Sequence, residues 1–192
     1  MTFPVLTTSL DLLRHVATRV PADQLGNPTP CSDWTVAQVL LHAAGDQHAW
    51  ASSVGSSPRP AYNPFAPAKQ LDGTIDDLIK PAIQAATAAW ASVDPAAESV
   101  PTPLPPFPTM TPELAAASCA LDAAIHAWDI AAATGQSSPL TAELARQLQS
   151  AADVTAEPLR DFAYAPALAG QATNDPAASL LRYLGRNPDW TP

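Results

Sequence analysis

Apolar residues recur at intervals of three and four positions along several segments of this chain, as they do on amphipathic helices. This spacing predicts helices at about residues 9–20, 35–54, 74–93, 111–134, 141–155 and 176–184. Sustained alternation of Val, Ile, Thr or Tyr with polar residues is nearly absent, so the sequence gives almost no strand signal. The pattern is therefore typical of an all-α protein.

Proline-rich stretches separate the predicted helices. Many of the 22 prolines fall in residues 55–70 and 94–109, which lack helical periodicity and are predicted to be loops. Thr111, followed by proline and glutamate, has the form of a helix start, and Gly135 marks the end of the same helix. Pro81 falls inside the third helix and is predicted to kink or break it.

The length and composition are those of one domain. At 192 residues, with 47% hydrophobic residues, the chain can bury a sizeable core. Helices joined by long crossings predict a four-helix bundle with long proline-rich loops and extra C-terminal helices. We expect a single helical-bundle domain over residues 1–192, with the bundle in 1–155 and a C-terminal extension in 156–192.

The charge balance is acidic and excludes some classes of partner. The formal net charge is -9 and Lys and Arg together number 9, which argues against binding to nucleic acid or to an anionic membrane surface. The N-terminus has neither a basic nor an apolar leader segment, and no apolar run reaches spanning length, so we expect a cytoplasmic protein. Cys31 and Cys119 fit no zinc-knuckle spacing and are predicted to be free thiols.

Three side chains suggest a metal site. Asp122 and His126 lie one helical turn apart in a segment of alanine and aliphatic residues, and His42 lies on another helix. Two imidazoles and one carboxylate suit zinc, with nickel or iron as alternatives, and three protein ligands leave coordination positions open. The alternative is a buried Asp–His hydrogen bond that only stabilises the core.

Other polar residues share these helical faces. Asp46 lies four residues after His42, and Asp129 lies three after His126, so either could hydrogen-bond to a ligand. Asp46 could equally be a solvated acid at the mouth of the site, and Asp129 could anchor a neighbouring helix. Cys119 lies on the stripe of Asp122, where a buried cysteine usually acts as a small hydrophobic residue.

The remaining histidines and the loop aromatics complete the candidates. His48 leaves the helical face of His42, and His15 falls on the more polar side of the first helix, so both are predicted to be ordinary surface or rim residues. Aromatic residues in or near the proline-rich loops are expected to line an apolar pocket above the metal or to pin the loops to the bundle: Trp50, Tyr62, Phe65 and Phe107.

Two segments carry a family resemblance. TPCSDWTVAQVLLHAAGDQHAWA and LDAAIHAWDIAAATGQ are similar to motifs of the mycothiol-dependent maleylpyruvate isomerase N-terminal domain, within the DinB/YfiT-like superfamily. The C-terminal sequence resembles an uncharacterised metal-binding branch of that superfamily. The resemblance implies a four-helix bundle with a metal at one end, held at the positions of His42, Asp122 and His126.

The same resemblance implies a function. Family members include thiol-dependent isomerases and transferases, so we expect a divalent metal, a thiol such as mycothiol, and a small electrophilic substrate. The alternative hypothesis is a non-catalytic module that binds a metal or a small ligand. A homodimer is compatible with the sequence.

Overall fold

Helices account for most of the computed structural model, which describes residues 2–31, 33–55, 57–160, 162–169 and 174–192. Within these residues there are six α-helices: α1 Pro4–Ala17, α2 Val36–Val54, α3 Ile75–Ala91, α4 Pro112–Ala133, α5 Ala142–Leu159 and α6 Pro176–Tyr183. A 3₁₀ turn spans Ala22–Gln24, and β1 Val100–Pro101 pairs antiparallel with β2 Thr109–Met110. The predicted all-α class is confirmed, and the short β pair ties together the ends of the second proline-rich loop.

The first four helices form the bundle. Helix α1 packs against α4 and α3, and α2 packs against the same two helices. Helix α5 packs on α4, and α6 packs on α5, as the extra C-terminal helices. Helix α4 is apolar and long enough to cross a membrane, but 83% of its most apolar window is buried inside the protein, as expected of a central bundle helix.

Local signals explain the helix that carries two of the candidate ligands. The Thr111 side chain accepts a hydrogen bond from the Leu114 N–H, and Pro112 occupies the first turn of α4. Gly135, with φ +66°, ends the helix in the left-handed conformation that glycine adopts without strain. Both predicted boundaries of α4 are confirmed, so Asp122 and His126 lie one turn apart as the spacing required.

Three features of the other helices differ from the prediction. Helix α3 is not broken at Pro81, because this residue lies on the exposed face, where water can satisfy the carbonyl that the proline leaves unpaired. Helix α1 begins at Pro4 rather than near Ser9, since its buried stripe extends back to the fully buried Leu6. Helix α5 reaches Leu159, beyond the predicted end near residue 155.

Candidate metal centre

The packing of α2 against α4 brings the three predicted ligands together. One potential ligand atom from each of His42, Asp122 and His126 lies within 4.8 Å of the others. Asp122 Oδ1 is 3.4 Å from His126 Nε2 and 3.9 Å from His42 Nε2. Both imidazoles are buried, and the carboxylate is 16% exposed. Metal binding by these residues stays a prediction, but the convergence it requires is present.

His42 is oriented by the first proline-rich loop. Its Nδ1–H donates to the Pro64 carbonyl oxygen at 2.9 Å. A carbonyl can only accept, so the proton lies on Nδ1 and the lone pair on Nε2 faces Asp122. Gly45 permits this contact, because a Cβ at that position would lie 2.7 Å from the Cβ of Pro64.

His126 is oriented in the same way by a carboxylate. Its Nδ1 lies 3.0 Å from Asp129 Oδ2, and Asp129 is fully buried. Arg186 donates from Nε to Asp129 Oδ1 and from Nη2 to Oδ2, both at 2.9 Å. The sequence left open whether Asp129 orients a candidate ligand or anchors another element. The structure shows that it contacts both His126, a candidate ligand, and Arg186, in the segment after α6.

Asp122 is held by an amide that the sequence analysis did not single out. The Gln47 Nε2 amide donates to Asp122 Oδ2 at 3.2 Å. The Cys119 thiol in turn donates to Gln47 Oε1, also at 3.2 Å. The Cys119 thiol is therefore a hydrogen-bond donor and more than the small hydrophobic residue that its position suggested. A buried glutamine in an apolar helix was the sequence signal for this connection, but only the helix packing identifies its partners.

Asp46 adds a second carboxylate beside the cluster. Its Oδ2 lies 3.6 Å from His42 Nε2, and its side chain is 14% exposed. Burial, and after it the nearby charge of Asp122, raises the pKa of Asp46 well above its usual value. Asp46 is therefore a group beside His42 that holds a proton more readily than an ordinary aspartate.

The pKa values of the two histidines are shifted in opposite directions. Burial, reinforced by the charge of His126, lowers the pKa of His42 from 6.5 to about 4. Burial also opposes protonation of His126, but its hydrogen bonds and charge interactions with Asp122 and Asp129 outweigh that effect and raise its pKa to about 9. Burial of Asp122 is likewise outweighed, chiefly by its hydrogen bond to His126, so its pKa is lowered. At neutral pH, one positive charge therefore lies beside Asp122 in the absence of a metal.

The cluster opens into a cavity of about 560 Å³. As predicted, Trp50 and Phe65 line it beside the candidate ligands. Tyr62 instead donates its hydroxyl to the Leu41 carbonyl at 2.7 Å, and Phe107 packs on the hydrophobic core. These two aromatics follow the alternative that the sequence left open, since they pin the loops to the bundle.

Residues of the C-terminal extension also form part of the cavity wall. Phe162, Tyr164 and Arg186 line the cavity. Their contribution was missed because they lie far from the histidines in sequence and carry no periodic signal.

The remaining titratable candidates are not part of the cluster. His15 is exposed, and His48 is half-buried with a pKa lowered by burial. Cys31 and Cys119 are free thiols, as predicted. Cys31 lines the cavity, but burial, followed by the charge of Asp129, raises its pKa to about 12. Burial also raises the pKa of Cys119, so both thiols stay protonated at neutral pH and are poor nucleophiles.

Sequence comparison places the candidate ligands inside a recognised domain. The profile of the mycothiol maleylpyruvate isomerase N-terminal domain matches residues 6–131. This range includes His42, Asp122 and His126 and ends before α5, α6 and Arg186.

Two similar proteins come from Mycobacterium tuberculosis, one from strain CDC 1551 and one from strain H37Rv, and both are described as uncharacterized. Each is 35% identical over 144 residues, which is 74% of this chain and 72% of the relative. No solved structure matches the chain.

Proposed function

We infer a function from the geometry of this site together with family membership: the chain belongs to the mycothiol maleylpyruvate isomerase N-terminal domain family. We propose that His42, Asp122 and His126 hold one divalent metal ion, zinc in preference to nickel or iron. The protein would use this ion with a low-molecular-weight thiol, such as mycothiol, in a transfer or isomerisation reaction of a small electrophile.

The observation that carries the proposal is the orientation of the two imidazoles. Each Nδ1 is hydrogen-bonded to an acceptor, the Pro64 carbonyl for His42 and the Asp129 carboxylate for His126. Each Nε2 is thereby turned towards the same oxygen, Asp122 Oδ1. Metal-binding histidines commonly have this arrangement, in which the second nitrogen is fixed by a carbonyl or carboxylate.

The donor set fits the proposed ion. Two imidazole nitrogens and one carboxylate oxygen suit zinc, and the Asp122 charge opposes that of the cation. Three ligands are typical of catalytic zinc sites, which keep a position for water or substrate. The adjoining cavity gives a small molecule room to reach that position.

A divalent metal at this position would supply a Lewis acid that lowers the pKa of a bound thiol. The chain's own residues would support that chemistry. Trp34, Trp50 and Phe65 would exclude water from one side of the cavity. Asp46 lines the cavity with its Oδ2 3.6 Å from His42 Nε2, so its carboxylate would be placed to take up the thiol proton and later return it.

The low reactivity of the chain's two cysteines favours a nucleophile supplied by an external thiol. Because burial keeps Cys31 and Cys119 protonated, neither suits nucleophilic attack at neutral pH. A thiol cofactor would supply the group that the chain lacks in activated form.

Thermal stabilisation tests the proposal. The melting temperature is measured with zinc alone, with mycothiol alone and with both, on the wild-type protein and on Asp122→Ala. We expect zinc to stabilise the wild type, and mycothiol to add stabilisation only when zinc is present. Mycothiol with a methylated sulfur is the matched control and should add nothing.

The outcomes separate the hypotheses. Absence of zinc stabilisation in the wild type, or equal stabilisation of Asp122→Ala, would contradict the metal site. Zinc stabilisation without coupling to the free thiol would support the alternative, a non-catalytic metal-binding module.

A further inference from the structure

Arg186 is a buried charge in the C-terminal segment, far outside the part of the chain that matches the family profile. Its side chain is 7% exposed, and its partner Asp129 is fully buried. Buried charges are costly unless they are paired and hydrogen-bonded, and such pairs are weak evidence for a purely stabilising role. Because Asp129 also contacts His126, the ion pair can orient the His126 imidazole.

The guanidinium holds the Asp129 carboxylate at both oxygens. Nε donates to Oδ1 and Nη2 donates to Oδ2, each at 2.9 Å, which is the bidentate geometry that arginine provides and lysine does not. This pairing fixes the plane of the carboxylate. Asp129 Oδ2 then lies 3.0 Å from His126 Nδ1, so the direction of that hydrogen bond is also fixed.

The backbone around Arg186 limits where the guanidinium can lie. Its Nη1 donates to the Leu184 carbonyl at 3.3 Å, at the end of α6. Gly185 between them has φ +79°, and a Cβ there would lie 2.7 Å from the Cβ of Ala165. Only glycine allows this turn to approach so closely. The turn after α6 therefore delivers the arginine to a defined position against α4.

We propose that Arg186 is a positioning residue for the metal centre, acting through Asp129 to hold the His126 ring with Nε2 directed at the ion. The proposal rests on the proposed metal-binding function. It assigns to the C-terminal segment a part in a site whose ligands all come from the family-matched region. Loss of the guanidinium would free the Asp129 carboxylate to rotate, and the His126 ring would lose its fixed orientation.

The test compares Arg186→Gln with Arg182→Gln. Arg182 lies on the same segment but is partly exposed, with a weak 3.7 Å contact to Asp189, so it is the matched control. Zinc affinity is measured by competition with a chromophoric chelator, and the visible spectrum of the cobalt-substituted protein reports ligand geometry. We expect Arg186→Gln to lose about 10- to 100-fold in zinc affinity and to alter the cobalt spectrum, and Arg182→Gln to change neither.

A measurement without metal separates this proposal from the proposed function. In the metal-free wild type, we expect the His126 Nδ1–H proton to be visible by NMR as a slowly exchanging resonance. It should be retained in Arg182→Gln and lost in Arg186→Gln. Failure of the wild type to bind zinc, with this pattern intact, would overturn the metal function and leave the positioning of His126 established.

A second variant guards against misfolding, because removal of the arginine leaves the Asp129 charge buried and unpaired. Arg186→Lys keeps the charge but cannot hold both carboxylate oxygens, and we expect a folded protein with weakened zinc affinity. Wild-type zinc affinity in a folded Arg186→Lys or Arg186→Gln protein would overturn the proposal.

Discussion

Gln47 donates its amide N–H to Asp122 Oδ2 at 3.2 Å and leaves the other carboxylate oxygen, Oδ1, facing the Nε2 atoms of both histidines. The amide is itself fixed, because its oxygen accepts a hydrogen bond from the Cys119 thiol. Asp122 is thus oriented from one side of the site, while Asp129 and Arg186 orient His126 from another. All three predicted ligands have a hydrogen-bonding group that sets their direction.

Replacement of Gln47 should therefore weaken metal binding. In Gln47→Leu, the Asp122 carboxylate loses the donor that fixes its rotation, and we expect zinc affinity to fall by about 10- to 100-fold. Chelator competition measures the change. Gln147→Leu replaces an exposed glutamine on α5 and should leave zinc affinity unaltered. Equal zinc affinity in Gln47→Leu and wild type would show that the amide does not position Asp122.

Replacement of Gly45 by alanine should disturb the orientation of His42 by a steric clash with the loop, although alanine favours the helix. Alanine is the better helix former by about 1 kcal/mol, so Gly45→Ala would stabilise an isolated helix. In the folded protein the new Cβ would lie 2.7 Å from the Pro64 Cβ and 3.2 Å from the Tyr62 ring, so the loop must move. Because the Pro64 carbonyl orients His42, we expect lower zinc affinity and no gain in melting temperature.

Gly26→Ala provides the control for this substitution. A Cβ at Gly26 would meet no atom within 4 Å, so zinc affinity should stay at the wild-type value. A Gly45→Ala protein with a raised melting temperature and unchanged zinc affinity would show that the loop relaxes without disturbing His42.

The metal-free protein should lose stability as the pH rises from 6.5 towards 9. The folded state holds a proton on His126 up to a pKa of about 9, whereas an ordinary histidine releases it near 6.5. The stabilisation is therefore complete below pH 6.5 and is lost as the pH passes through the folded-state pKa. The loss is at most about 3 kcal/mol in the free energy of unfolding. Asp46, whose pKa is also raised, changes stability in the same direction.

Urea unfolding in the presence of a chelator, at about pH 6.5 and about pH 9, measures this loss. His126→Asn should reduce the difference between the two pH values, and the exposed His15→Asn should preserve it. Saturating zinc should also reduce the difference, because a metal ligand holds no proton on Nε2. Unchanged pH dependence in His126→Asn would assign the effect to other groups.

Most of the fold and the three candidate ligands could be predicted from local patterns. Helix α4 has its cap, its first-turn proline and its terminal glycine in sequence order, and the spacing of Asp122 and His126 follows from helical geometry. Periodicity predicted the ends of α2 to within about a residue. The convergence of α2 and α4, which brings His42 to the cluster, was predicted from the helical faces together with the family resemblance.

The groups that orient the ligands could not be predicted in this way. Arg186 meets Asp129 across 57 positions of sequence, and Gln47 meets Asp122 across 75. Such contacts depend on how whole helices pack, and a single buried arginine or glutamine carries no periodic signal. The role of Pro64 is equally hidden, since it is exerted through a backbone carbonyl that every residue possesses.

Phe162, which lines the cavity, should affect the binding of the thiol separately from the binding of the metal. The Phe65 and Phe162 rings lie 4.6 Å apart, and Phe65 also packs edge-on against the His42 ring at 5.4 Å. Phe162 is 52% exposed and makes no hydrogen bond to the candidate ligands among the described residues, so Phe162→Ala should leave zinc affinity unchanged. The same variant removes an apolar wall that would cover a bound thiol and electrophile. We therefore expect mycothiol to stabilise the zinc-loaded variant less than the zinc-loaded wild type, as measured by the shift in melting temperature.

Val154→Ala removes another exposed apolar side chain outside the cavity and should give the wild-type shift. A full mycothiol shift in Phe162→Ala would show that the thiol binds away from this wall, whereas a loss of zinc affinity would show that Phe162 supports the metal centre itself.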